Sequence, residues 1–166
     1  PQLQKGILLH RSIDSFTDSH PIVKQSTKRL HKKYSHYSGV IVDILYDHFL
    51  AKNWKNYSEK PLAGFIEHFY DSLDEHFELL TPGIQRMVPH MIADNWLLSY
   101  KDISGIGTVL YNMNRRTRNI SGMDRAVEDL QLHYHDFEDE FTRFFEELRA
   151  FCIQKIIELD TVFSIK

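Results

Sequence analysis

Two short runs carry the side chains that could do chemistry. In LHRSIDSFTD, residues 9–18, His10 and Asp14 stand four apart with Arg11 beside them. In DILYDHFLAKNW, residues 43–54, Asp43 and Asp47 stand four apart and His48 follows directly. Residues four apart share a helix face, so each run presents metal-type ligands from one surface. Both runs are set among apolar residues, where an ionised carboxylate is costly unless it is paired or bound to a metal. A divalent ion that hydrolyses a phosphoester needs a few oxygen and imidazole ligands and an open position for water. Two neighbouring helices, each giving a His and one or two Asp, can supply that set. The competing reading is helix capping and surface charge, and the spacing is less specific than a zinc-finger or HExxH signature. Taken together, the two runs point to a helical metal-dependent hydrolase.

Other residues could assist. An arginine offers a bidentate fork to phosphate, so Arg11 and the Arg115–Arg116 pair are candidate phosphate holders; surface salt bridging is the alternative for the pair. Lys24, Lys28, Arg29, Lys32 and Lys33 fall within ten residues. Such a patch steers an acidic partner, unless it is only a solvated face. Seven further histidines (His31, His36, His68, His76, His90, His133 and His135) have no ligand-like grouping. No nucleophile elbow, P-loop or dinucleotide glycine pattern occurs.

The elements that must position these side chains read as helices. A first helix ends near Asp18, because Pro21 disfavours helix just before it. A second runs from Pro21 to about His36, with proline where its missing N–H does no harm. A third opens at Ser38 or Gly39. Leu62, Phe65, Ile66, Phe69, Tyr70, Leu73, Phe77 and Leu80 step by three or four, which predicts a helix from Pro61 to Leu80. After Thr81-Pro82-Gly83, helical patterning continues to about Tyr100, with a bend expected at Pro89. Another helix covers Ile103 to Arg116, and residues 117–122 read as a loop. Met123 to Asp160 is the longest periodic run; unbroken it would extend roughly 55 Å. No segment alternates with a period of two. The expectation is an all-α fold, one domain over residues 1–166 with six to seven helices.

Composition sets outer bounds. The 166 residues are 42 % apolar, 26 % charged and 13 % aromatic, which argues against disorder. A net charge of −3 gives no global pull toward nucleic acid. No apolar run reaches a membrane span, and no signal peptide is present. The single cysteine, Cys152, excludes an intrachain disulfide, fits a reducing, cytoplasmic setting, and reads as a small core hydrophobe.

The segments GILLHRSIDSFTDSHPIV, DILYDHFLAKNW and NWLLSYKDISGIGTVLYNMNRR, in this order, resemble the acyl-carrier-protein phosphodiesterase family from about Gly6 to the final helix. The resemblance implies an all-helical fold distantly related to HD-type phosphohydrolases. It implies hydrolysis of the phosphodiester joining 4′-phosphopantetheine to a serine of holo acyl carrier protein, with manganese as the metal and magnesium a substitute. The HRxIDxxTD motif falls on His10, Arg11, Asp14, Thr17 and Asp18; the second falls on Asp43, Asp47, His48 and Phe49. On this basis His10, Asp14, Asp47 and His48 are expected as metal ligands, with Arg11 steadying the phosphate. Asp43 is expected as a further ligand, an orienter of a ligating histidine, or a base for the water. Acyl carrier proteins are acidic, so Lys24, Lys28, Arg29, Lys32 and Lys33 become the expected docking surface. No further organic cofactor is implied. Family members usually carry an additional segment before the equivalent of this chain's start, and it is expected to be missing here. The rival expectations are an HD-like phosphohydrolase of a nucleotide or other small phosphoester, and a non-catalytic helical module that binds an acidic partner.

Overall fold

The computed structural model describes residues 2–164, and among them there are helices and no strand. The all-α expectation holds. The contacts group into two units: the described residues up to Val42 with those from Leu132 onward, and Asp43–Gln131.

In the first unit, α1 (Gln2–Ser19) and α2 (Pro21–Tyr34) pack on each other and on a long final helix, α9 (Tyr134–Ser164). The start of α2 follows from its sequence. Pro21 occupies the first helical turn, and the Ile22 amide donates to His20 Nδ1 at 3.3 Å, which caps the helix. Ile22, Val23, Ser26, Leu30 and Tyr34 form the buried face of α2, and Phe137, Phe141 and Phe144 of α9 are buried too. The helix stops at Tyr34 rather than His36 because Ser35 takes a left-handed φ of 51°, which ends α-helical geometry; one 3₁₀ turn over Ser35–Tyr37 follows.

The expected single run from Met123 to Asp160 is broken. A 3₁₀ turn at Met123–Arg125 leads into α8 (Ala126–Leu132), and α9 begins only at Tyr134. The break at His133 falls where the chain passes between its two units. Asp136 in the first turn of α9 suits a helix N-terminus, and it lies 3.4 Å from His133 Nδ1. Nothing resembling a glycine or proline stop announces this in the sequence. The 31 residues of α9 span roughly 46 Å.

In the second unit, α3 (Ser38–Lys52) contributes its residues from Asp43, followed by α4 (Leu62–Glu75), α5 (Pro82–Ala93), α6 (Trp96–Ser99) and α7 (Ile103–Arg116). Ile66, Tyr70, Val88 and Met91 form one of its buried clusters, with Leu62, Leu73, Phe77, Trp96 and Leu97 against it. Helix α5 runs through Pro89, and the chain leaves right-handed helical geometry at Asn95, with φ 45° and ψ 53°. Asparagine tolerates that left-handed geometry better than most residues. Gly105 is needed for space: a Cβ there would stand 1.9 Å from the Ser99 carbonyl oxygen, so α6 and α7 approach this closely only because the side chain is absent. The loop at 117–122 is present as expected. Asn114, buried in α7, holds it: Asn114 Oδ1 accepts from the Gly122 amide (3.0 Å) and the Ser121 hydroxyl (2.9 Å), while Nδ2 donates to Asp124 (2.8 Å).

No helix among the described residues is long and apolar enough to cross a membrane.

Candidate active site

Helix α3 makes the site. Asp47, Leu50 and Ala51 follow one another at intervals of three and one, so they share a face of α3, and Trp54 follows in the 3₁₀ turn Trp54–Asn56. With Leu62, Phe65 and Ile66 of α4, Leu97 of α6 and Tyr100 just after it, they line a cavity of about 130 Å³. Aromatic and aliphatic walls dominate, and Asp47 is the one carboxylate in the lining.

That carboxyl is not ordinary. Burial, and then the charge of Asp43 one turn earlier, push its pKa up to about 7. Asp47 is exposed, as is Asp43, although protein crowds the Asp47 carboxyl on most sides. Both hold for a group on the wall of a concavity. Burial is the larger cause; the spacing noted in the sequence adds to it, since two aspartates four apart on a helix repel. Tyr100 feels the same field. Burial, then Asp47, then Tyr70 push its phenol pKa upward, so it stays a proton donor.

His48 points elsewhere. It is buried, with its ring 5.1 Å from that of Phe49. Its Nδ1 lies 2.8 Å from the Tyr100 carbonyl oxygen. A carbonyl only accepts, so Nδ1 carries the hydrogen of that bond. Asp47 and His48 thus meet at Tyr100, one through its field and the other through its backbone.

Helix α1 treats its motif differently. His10 and Asp14 are both solvent-exposed, and His10 Nδ1 lies 3.0 Å from Asp14 Oδ2. Arg11 is exposed and lines a shallow hollow of about 390 Å³ with Ser12, Ser15, Phe16 and Phe151. The Ser12 hydroxyl there is turned back onto the Leu8 carbonyl of its own helix. Among the described residues, no group of three or more His, Cys, Asp or Glu side chains is placed to hold a metal ion.

On α2 the expected docking patch is divided. Lys24, Lys28, Lys32 and Lys33 are exposed, and the first three stand four apart on one face. Arg29 turns inward. Its two terminal nitrogens donate to both oxygens of buried Glu140 at 2.6 Å, and its guanidinium lies 4.8 Å from the Phe137 ring centre. Gln25 and Ser26 complete the shell of that carboxylate. The structure therefore gives Arg29 an interior ion pair rather than a place in an outward patch. The sequence hint was present: Arg29 stands three after Ser26 and one before Leu30, both buried.

The residue that sequence reasoning passed over is Tyr100. It lies in the NWLLSY stretch, which enters the sequence reading only through its family resemblance. Its signal is positional: it closes the short α6, whose Leu97 amide is held by the Tyr70 hydroxyl at 3.2 Å. Cys152 is half-buried and burial pushes its thiol pKa up, which suits an unreactive packing residue.

The chain matches the family described as acyl carrier protein phosphodiesterase over residues 1–148. It is similar to the acyl carrier protein phosphodiesterase of Photorhabdus laumondii subsp. laumondii, 33 % identical over 84 % of this chain and 71 % of that protein. The protein of the same name from Yersinia enterocolitica is 30 % identical over 90 % of this chain and 78 % of the relative. For the one from Pectobacterium atrosepticum the figures are 28 %, 89 % and 77 %. No solved structure matches the chain significantly. The match over nearly the whole sequence, with both aspartate-bearing motifs inside it, makes the chain a member of the acyl carrier protein phosphodiesterase family.

Proposed function

We propose that this chain hydrolyses the phosphodiester that joins 4′-phosphopantetheine to the serine of holo acyl carrier protein. Water adds to phosphorus, the bond to the serine oxygen breaks, and apo carrier protein and 4′-phosphopantetheine are released. Family membership supports the reaction, and the observation that carries the site is Asp47: a carboxyl held near neutrality beside Asp43 and Tyr100.

A divalent cation fits that observation in part. Two carboxylates that repel each other on one helix face would be relieved by a positive charge, and hard oxygen donors suit Mn²⁺ or Mg²⁺. Such ions are commonly held by one or two carboxylates, with waters and substrate phosphate oxygens completing the shell, so a site without three assembled protein donors is compatible with one. Asp43 and Asp47 would hold the ion; His48, His10 and Asp14 are proposed as its further ligands on the strength of their motifs. When bound, it would lower the pKa of water and offset charge on the phosphoryl oxygens. The chain's own contribution is to keep Asp47 partly protonated until a cation or a substrate proton competes for it, and to keep Tyr100 able to donate. Arg11 is proposed to steady the phosphate, and Lys24, Lys28, Lys32 and Lys33 to meet the acidic carrier protein. The single half-buried cysteine is consistent with a cytoplasmic setting.

Intact-protein mass spectrometry of holo carrier protein incubated with the chain and Mn²⁺ tests this. The carrier should lose the mass of phosphopantetheine with the parent chain and keep it with Asp47→Ala. Loss with both proteins would remove Asp47 from the mechanism; loss with neither would remove the activity.

A further inference from the structure

A second cavity, of about 610 Å³, lies away from Asp47. Helix α5 gives it Arg86, Met87 and His90, α7 gives it Arg115 and Arg116, and Trp96 forms one wall. No acid lines it. Arg86, Arg115 and Arg116 are all exposed and, among the described residues, none of them forms an ion pair. The chain holds 23 acids against 20 Lys and Arg, so three arginines without partners on one hollow run against its average. The salt bridges that would account for Arg115–Arg116 do not form.

A helix dipole explains part of this. Arg115 and Arg116 occupy the last turn of α7, where cations are favoured. Arg86 has no such reason, since it sits in the body of α5. Three guanidinium groups around one cavity repel unless an anion stands among them. The frame is fixed beforehand: the Asn114 hydrogen bonds pin the end of α7 beside both arginines. Trp96 packs against a buried cluster of its unit, and its Nε1 donates to Asp94 at 3.3 Å. Its ring is thus a held, flat apolar wall. Planar forks for a compact dianion beside an aromatic wall are the chemistry of phosphate-monoester recognition.

We propose that this pocket binds an organic phosphate monoester, its phosphate among Arg86, Arg115 and Arg116 and its organic part along Trp96 and Met87. The site does not rest on the hydrolytic reading: both 4′-phosphopantetheine and a nucleoside monophosphate have this chemistry.

Isothermal titration of the parent chain with 4′-phosphopantetheine, adenosine 5′-monophosphate, pantetheine and inorganic phosphate tests it, without added metal. At least one monoester should bind with Kd below about 1 mM, and pantetheine should not. The tighter of the two monoesters names the source. Arg115→Gln/Arg116→Gln should weaken that binding about tenfold or more, and the double lysine variant should restore only part of it, since lysine keeps the charge and loses the fork. All three arginines are exposed, so the variants should fold, which circular dichroism checks. Absence of monoester binding below that concentration, or unchanged binding in the glutamine variant, would overturn the site. Equal affinity for inorganic phosphate would overturn the part given to Trp96.

Discussion

Helices α1 and α3 each carry a pair of chemical side chains four residues apart, His10 with Asp14 and Asp43 with Asp47, and the second pair is of like charge. On α1, His10 and Asp14 pair with each other in open solvent, with side chains 78 % and 56 % exposed. On α3, Asp47 faces a second aspartate on a largely apolar wall and its pKa rises to about 7, while His48 is 1 % exposed and bonded to a backbone carbonyl. Spacing chooses which groups share a face; the neighbours of that face choose what the groups can do. A histidine and a carboxylate on one face pair with each other, whereas two carboxylates on one face favour a proton or a cation.

The sharpest way to break the comparison is at Asp47 itself. Asp47→Asn keeps the shape and removes the titrating group. It should lower turnover of holo carrier protein by on the order of 10²–10⁴-fold, read as the rate of phosphopantetheine release at saturating Mn²⁺. A loss below tenfold would mean that the perturbed carboxyl is a bystander. His48→Ala comes next and acts first on stability. It leaves a hole in a buried layer and orphans the Tyr100 carbonyl, so it should cost about 2–3 kcal/mol in urea unfolding. A cost under about 0.5 kcal/mol would show that the buried histidine is not structurally engaged.

The pH dependence separates the two helices more finely. In the folded chain Asp47 titrates near 7, against an ordinary carboxylate value once unfolded. Its raised pKa therefore contributes stability that is complete below the unfolded value and is lost as pH rises through about 7. Metal-free protein should melt at progressively lower temperature across that window, and the slope should flatten in Asp47→Asn. Added Mn²⁺ should reverse the trend, because protons and the cation compete for one carboxyl. An unchanged slope in the asparagine variant would assign the dependence to other groups.

How far the sequence reaches can be seen in the same residues. The Asp43–Asp47 spacing was legible because helix periodicity is local. The rise in the Asp47 pKa was not, because it depends on Phe65, Ile66 and Leu97, whose approach is a tertiary matter. The basic run on α2 was legible as composition, but which member turns inward was decided by Glu140, more than a hundred residues on. The helical patterning expected to about Tyr100 is interrupted at Asn95, because a left-handed asparagine leaves only a faint mark in a sequence. The family resemblance named the motifs and not their surroundings, which is why Tyr100 stayed hidden in a stretch already quoted for its likeness.

The smallest effect is expected on α1. Without metal, His10→Ala breaks an exposed i, i+4 pair and should change unfolding stability by no more than about 0.5 kcal/mol. The same variant is informative with Mn²⁺ present. An ion that binds only the folded state stabilises it according to its concentration over Kd, so a ligand's removal appears as a lost increment in melting temperature and not as a lost fold. If His10 is a ligand, the parent should gain stability with Mn²⁺ and His10→Ala should gain less, from nearly the same metal-free starting point. Equal gains would confine the metal to the α3 carboxylates and leave the α1 pair as surface chemistry. A large metal-free loss would instead contradict the exposure of the α1 pair.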